Sequence, residues 1–206
     1  MMDSPTLPFG SALVLAGGKG SRIGRDKKEL EINGVRIIDT LIGMLGAVFD
    51  EIIVSSNTPF KRGNVITVRD TIGGGPLSGI YAGLTVCKSD FLYVIACDMP
   101  FISLEYINFL KNKITRSLEN TPGITTCVMR RADSFLEPFN SFWRKSASAQ
   151  IYTALQNNQY KILPLLKQLA PLEITYNEAV PYLASAGVDL FYNINYREDL
   201  EKLTTN

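Results

Sequence analysis

The chain has no histidine among its 206 residues. That absence rules out Ser-His-Asp and Cys-His nucleophilic triads. It also removes the usual zinc sets, since the three cysteines, Cys87, Cys97 and Cys127, are too few and too widely spaced to hold a metal alone. An odd number of cysteines without a CxxC pair reads as three small buried residues in a reducing cytosol. No apolar run approaches the ~18 residues of a membrane span. The opening "MMDSPTLPFG" has neither a basic nor an apolar signal region, so no signal peptide and a cytoplasmic location are expected. Charge of one sign is also lacking, with 21 Lys and Arg against 20 Asp and Glu. Bulk attraction to nucleic acid or to acidic membranes is therefore not expected. Whatever chemistry the chain performs must use carboxylates, lysine, arginine, a bound metal or backbone amides, and any anion must be held by a local site.

Short apolar stretches rich in β-branched residues predict strands at 12–16 (ALVLA), 51–55 (EIIVS), 65–69 (VITVR) and 91–96 (FLYVIA). Most are apolar on both faces, as strands of a parallel sheet covered on both sides must be. Helical periodicity lies between them, in "RIIDTLIGMLGAVFD" and "GPLSGIYAGLTVCKS", and in a segment after Phe101 capped by Ser103 with Glu105 in its first turn. Further on, 124–130 and 137–145 read as strands, 147–157 and 163–169 as helices, and "NYREDLEKL" as a terminal helix. The alternation predicts an α/β fold, a three-layer α/β/α Rossmann-like sandwich with a mostly parallel sheet. No repeat or linker divides the chain, so one domain over 1–206 is expected at this length.

Chemistry concentrates at predicted strand ends. In "SALVLAGGKGSRIGRDKKEL" an apolar strand runs into Gly17, Gly18 and Gly20, followed by Lys19, Arg22, Arg25 and Lys27. Glycines let the backbone present amide N–H groups to a phosphate chain, and the cations supply counter-charge; the same residues would also serve a tight turn with solvated charges. The spacing does not match a dinucleotide fingerprint, since Ile23 stands where the third glycine should be, nor a Walker A loop. Asp98 ends the strand of "YVIACDMPF", where open α/β sheets bind ligands. A carboxylate there suits Mg²⁺, which takes one or two carboxylates with phosphate oxygens and water, although a solvated turn-capping Asp would look alike. Asp70 ends another strand ahead of Gly73–Gly75, and "FYNINYREDL" places Asn193 and Asn195 on one face if extended.

"LAGGKGSRIGRDK" resembles the signature of nucleotidyltransferases of the nucleotide-diphosphosugar transferase-like fold, with Ile23 in place of the usual methionine. Within that superfamily, "GPLSGIYAGL", "ACDMPFIS", "EPFNSFWRKS" and "FYNINYREDL" are most similar to the molybdenum cofactor guanylyltransferases, in order along nearly the whole chain. The resemblance implies transfer of GMP from GTP to molybdopterin or the molybdenum cofactor, Mg²⁺-dependent, with release of pyrophosphate. The N-terminal half would bind nucleotide and the C-terminal half the acceptor. It assigns Leu15, Ala16 and Gly17 to the guanosine, Gly18, Gly20 and Arg22 to the triphosphate, and Lys27 to the phosphates. Asp70 would lie near the nucleotide, as would Asn57 or, by another alignment, Ser55, with Gly75, Pro76 and Leu77 on its base side, Asp98 at the metal, and Asn193 and Asn195 on the acceptor side. Arg22, Lys27 and Asp98 would be catalytic. Other cofactor-biosynthesis proteins and recipient molybdoenzymes are the protein partners it implies. The sequence departs from the family pattern at Tyr196-Arg197, where Thr-Pro is usual, and at Ala96, where Pro is frequent. Arg130, Arg131, Trp143 and Arg144 are candidates to grip a pterin, but they read first as a solvated face with a core tryptophan. The rival readings are a cytidylyltransferase or sugar-phosphate enzyme of the same fold, and a non-catalytic nucleotide-binding protein.

Overall fold

The computed structural model describes residues 8–17, 27–60, 63–183 and 189–204, without the side chains of Lys27 and Thr204. Strand β1 (Ser11–Leu15) is buried at all five positions, flanked in parallel by β4 (Glu51–Ser55) and β6 (Phe91–Ala96), so that Leu13 sits between Ile53 and Val94. Strand β5 (Ile66–Val68) pairs in parallel with β4. On the other flank, β8 (Leu136–Arg144) pairs antiparallel with both β6 and β7 (Thr126–Arg130), and β9 (Leu172–Thr175) adds to β7 in parallel. The sheet order is β5-β4-β1-β6-β8-β7-β9, mostly parallel as expected.

The two-residue period of the strands divides the core. Ala12, Val14 and Tyr93 face helices α1 (Ile37–Leu45) and α3 (Leu104–Leu118), through Ile38, Leu41, Leu45, Tyr106 and Leu110. Leu13, Leu15 and Val94 face α2 (Pro76–Val86), α4 (Ser148–Gln156) and α5 (Ile162–Gln168) on the opposite side. The three layers follow from that division.

Local signals mostly set the helix ends. Ser103 caps α3, its hydroxyl accepting from the Tyr106 amide at 3.1 Å. The first helix stops at Leu45 instead of running to Asp50, since the Gly46 amide closes back on Ile42 and the chain turns to bury Phe49. Two pieces were not foreseen. A hairpin of β2 (Glu31–Ile32) and β3 (Val35–Arg36) turns through Asn33 and Gly34, both at positive φ, as a tight two-residue turn requires. Strand β9 is followed at once by α6 (Tyr176–Leu183), which packs on α3 through stacked Phe109 and Tyr182. Helix α7 (Arg197–Thr204) closes the described chain against β2.

Candidate active site

The carboxyl ends of β1, β4, β5 and β6 open on one side of the sheet into a cavity of about 510 Å³. Leu15, Gly17, Asn57, Asp70, Gly75, Pro76, Asp98, Asn193 and Asn195 line it, so nine residues proposed from sequence share one wall system. Ala16 is buried, its amide donating to the Ser55 carbonyl at 2.9 Å, and Leu77 is buried in the core beneath α2; neither lines the cavity. Gly18, Gly20 and Arg22 lie outside the described residues, as does the Lys27 side chain, whose backbone opens a 3₁₀ turn at Lys27–Glu29.

One wall is built around Asp70. Its Oδ1 accepts from the amides of Ile72 (3.1 Å) and Gly73 (2.7 Å), and its Oδ2 accepts from the Ser78 hydroxyl at 2.5 Å. Ser78 Oγ is also 2.9 Å from the Gly75 carbonyl. The carboxylate therefore ties both ends of the triple-glycine loop together. Gly73, Gly74 and Gly75 have φ of 79°, 116° and 69°, a run that side chains disfavour. Gly75 precedes α2 and Pro76 is its first residue, a position where a missing N–H costs nothing. No acidic residue belongs to the first turn of α2, and the side-chain charge bonded at the positive end of its dipole is the Asp70 carboxylate, through Ser78. Gly79, one turn on, lies so close to the sheet that an added Cβ would stand 2.7 Å from Leu15 Cδ2 and 2.8 Å from Ser55 Oγ.

On the other side Asp98, only 6% exposed, follows β6. Its carbonyl accepts from the Ile194 amide at 2.9 Å, which ties the segment carrying Asn193 and Asn195 to the end of β6. Asn193 Nδ2 donates to the Phe191 carbonyl at 3.2 Å. The amides of Asn195 and Tyr196 donate to Asp199 Oδ2 at 3.0 and 2.9 Å, which caps α7 without the usual Thr-Pro. Those amides, Tyr196 first, hold the Asp199 carboxyl below its ordinary value.

Ser55, the alternative to Asn57 near the ribose, lines the cavity too, and sequence reasoning missed Ser56, Gly79, Ala96 and Phe139, which also line it. The first three of these are small residues whose only signal was adjacency to a strand end or a helix start. Trp143, by contrast, is fully buried, its Nε1 donating to the Pro138 carbonyl at 3.2 Å. Arg130 pairs with Glu173, Arg131 with Glu137 at 2.9 Å and Arg144 with Asp90 at 2.9 Å, so the three arginines have acidic partners. Burial pushes the Glu137 carboxyl up, against the pull of Arg131.

Gly75 of the glycine loop, the strand-end carboxylate of Asp98 and the paired asparagines meet in one cavity. A family model described as the MobA-like NTP transferase domain matches residues 12–172. The chain belongs to this family. It is 40% identical to a probable molybdenum cofactor guanylyltransferase of Peptoclostridium acidaminophilum over 94% of this chain and 88% of that one. It is 38% identical to a molybdenum cofactor guanylyltransferase of Syntrophotalea carbinolica over 95% and 91%. The solved structure of molybdopterin-guanine dinucleotide biosynthesis protein A from Archaeoglobus fulgidus superposes with a TM-score of 0.77 at 22% identity, over 94% of this chain and 96% of that one. The MobA-like fold of this chain is thus matched nearly end to end.

Among the described residues no group of three or more His, Cys, Asp or Glu could cage a metal. The side-chain donors at the cavity include hard oxygens: the Asp98 and Asp70 carboxylates, the latter already bonded to Ile72, Gly73 and Ser78, and the amide oxygens of Asn57, Asn193 and Asn195. One or two carboxylates beside a space for phosphate and water fit Mg²⁺, which usually binds in this way.

Proposed function

We infer that the protein is a molybdenum cofactor guanylyltransferase, transferring GMP from GTP to the molybdenum cofactor. The observation that carries this reading is the single cavity on which the Asp70–Gly75 loop, Asp98 and the Asn193–Asn195 pair converge. The loops after β1, β4 and β5 take the nucleotide, with Leu15, Ala16 and Gly17 along the guanosine and Gly75, Pro76 and Leu77 on the base side, the last through backbone alone. Asn57 lies near the ribose. Gly18, Gly20, Arg22 and Lys27 serve the phosphates, and Asn193 and Asn195 the acceptor. We treat 1–206 as one nucleotidyltransferase domain working in the cytoplasm. No helix of the described residues is long and apolar enough to cross a membrane. Other cofactor-biosynthesis proteins and recipient molybdoenzymes remain the partners to expect.

In the reaction an oxygen of the molybdopterin phosphate forms a bond to the α-phosphorus of GTP. The bond from that phosphorus to the bridging oxygen breaks, and pyrophosphate leaves with its charge. The nucleophile is already an anion, so no general base is needed, in keeping with a chain devoid of histidine. The difficulty is bringing one anion onto another. Arg22 and Lys27 offset that repulsion and hold the triphosphate in line, while Asp98 anchors the divalent cation. Mg²⁺, when bound, neutralises charge on the phosphate oxygens. The α2 N-terminus adds a fixed positive dipole where the nucleotide lies.

The testing experiment is a thermal-shift titration with GTP, CTP, ATP and UTP, each with and without Mg²⁺. A rise specific to GTP, followed by Mg²⁺-dependent release of pyrophosphate with molybdopterin, is expected. A rise with CTP alone would make the protein a cytidylyltransferase of the same fold, and no rise with any nucleotide would refute the reading.

A further inference from the structure

Strand β8 breaks its own ladder where it passes the cavity. Cys127 faces Phe142 and Met129 faces Glu137, so the one residue Val128 stands opposite Pro138, Phe139, Asn140 and Ser141. Pairing with β6 stops at Val94 and Ser141. This bulge is held from every side. Ser141 Oγ donates to the Pro138 carbonyl at 2.7 Å, as does Trp143 Nε1 at 3.2 Å. Tyr93 OH donates to Asn140 Oδ1 at 2.6 Å, and Asn140 Nδ2 donates to the Leu190 carbonyl at 2.7 Å. Asn140 itself sits at φ 50°, a left-handed conformation that costs energy in a side-chain-bearing residue. Bulges of this kind re-aim a side chain next to active sites.

Here the re-aimed side chain is Phe139. Within β8 only it and the terminal Arg144 are not buried. It packs against both core layers while staying partly exposed, and it is the sole aromatic among the described residues that line the cavity. Strand β8 neighbours β6 on the flank away from β1, whereas the nucleotide loops follow β1, β4 and β5. The Asn140–Leu190 bond makes the bulge one piece with the segment that carries Asn193 and Asn195. We propose that Phe139 is the platform on which the acceptor's pterin stacks, and that the bulge is built to place it there. A flat heteroaromatic ring gains from stacking on an aromatic face. The asparagine amides at the same wall offer donors and acceptors for its polar edge.

This inference rests on the guanylyltransferase reading. The test compares wild type, F139L and F139W in GTP binding, molybdopterin binding and steady-state transfer. Leucine keeps an apolar side chain at the core contact, so F139L isolates the stacking face. We expect F139L to bind GTP within about twofold of wild type and to raise the KM for molybdopterin roughly tenfold with little change in kcat. F139W should retain affinity, and its indole emission should be quenched by the acceptor. Wild-type acceptor affinity in F139L would overturn the platform, as would an equal loss of GTP affinity, which would move Phe139 to the nucleotide side. A wild-type protein that binds GTP and transfers nothing to molybdopterin would overturn the activity itself, and the platform with it.

Discussion

Helix α2 owes its position to two glycines, and replacing them separates what the helix contributes to stability from what it contributes to the site. A methyl built on Gly79 would lie 2.7 Å from Leu15 Cδ2 and 2.8 Å from Ser55 Oγ. One on Gly83 would lie 2.8 Å from Leu13 Cδ2 and 3.0 Å from Leu92 Cδ2. Carbon atoms in favourable contact sit about 3.5–4.0 Å apart, so either change forces the helix or the leucines back by the better part of an ångström. Gly43, on the exposed face of α1, has nothing within 4 Å of the same built atom. Glycine to alanine inside a helix gains roughly 0.5–1 kcal/mol, a contribution the three positions share. Overpacking costs about 1–3 kcal/mol, and only Gly79 and Gly83 incur it. For a chain of this size 1 kcal/mol moves Tm by about 2–4 °C. G43A should therefore melt a few degrees above wild type, with G79A and G83A roughly 3–10 °C below G43A. Only Gly79 lines the cavity, so G79A alone should also raise the KM for GTP severalfold. Thermal unfolding and steady-state kinetics on the three variants decide it. If G79A matched G43A in Tm and kept the wild-type KM, the close approach of α2 to β1 and β4 would not shape the site.

Three further outcomes are expected. D98A should lower kcat by on the order of 10² or more while leaving Tm near wild type, the size seen when one electrostatic group is removed from a transition state; a near-normal kcat would end its role as metal anchor. D70A should release the Gly73–Gly75 loop and raise the KM for GTP more than it lowers kcat, and S78A should do the same to a smaller degree because one of the three bonds to Asp70 is lost; equal KM values in all three proteins would show that the latch is idle. Glu178 is held at a pKa of about 2, against an ordinary 4.5, by Lys113 and by the Thr175 hydroxyl and amide. A depressed carboxylate contributes stability above its unfolded pKa and loses it as pH falls through the folded one. The stability gap between wild type and E178Q, from urea unfolding, should therefore be constant above about pH 5 and close between pH 4.5 and 2; a gap independent of pH would refute the assignment.

How much of this was legible in sequence depends on the range of the interactions involved. Strands such as 51–55 and 91–96 announce themselves because burial on both faces leaves no room for polar alternation, and Asp98 stands out as the first charge after such a run. Asp70 was visible as a strand-end carboxylate, but its work was not. Whether an aspartate touches a nucleotide or latches a loop depends on whether Ser78 turns back onto it, a contact eight residues away. Asn33-Gly34 carried a local hairpin signal that went unread, whereas the antiparallel insertion of β8 between β6 and β7 carries none, since strand order is settled by pairing across the whole sheet. Phe139 marks the limit. In "EPFNSFW" it reads as an ordinary strand residue, and period two assigns it to one of two buried faces. It reaches the cavity only because Tyr93, Leu190, Ser141 and Trp143 together hold four residues of β8 against one of β7. Two of these, Tyr93 and Leu190, lie some fifty residues from Asn140 in opposite directions along the chain. The bulge is thus a product of the assembled core, and a site residue that depends on it becomes visible only once that core is in place.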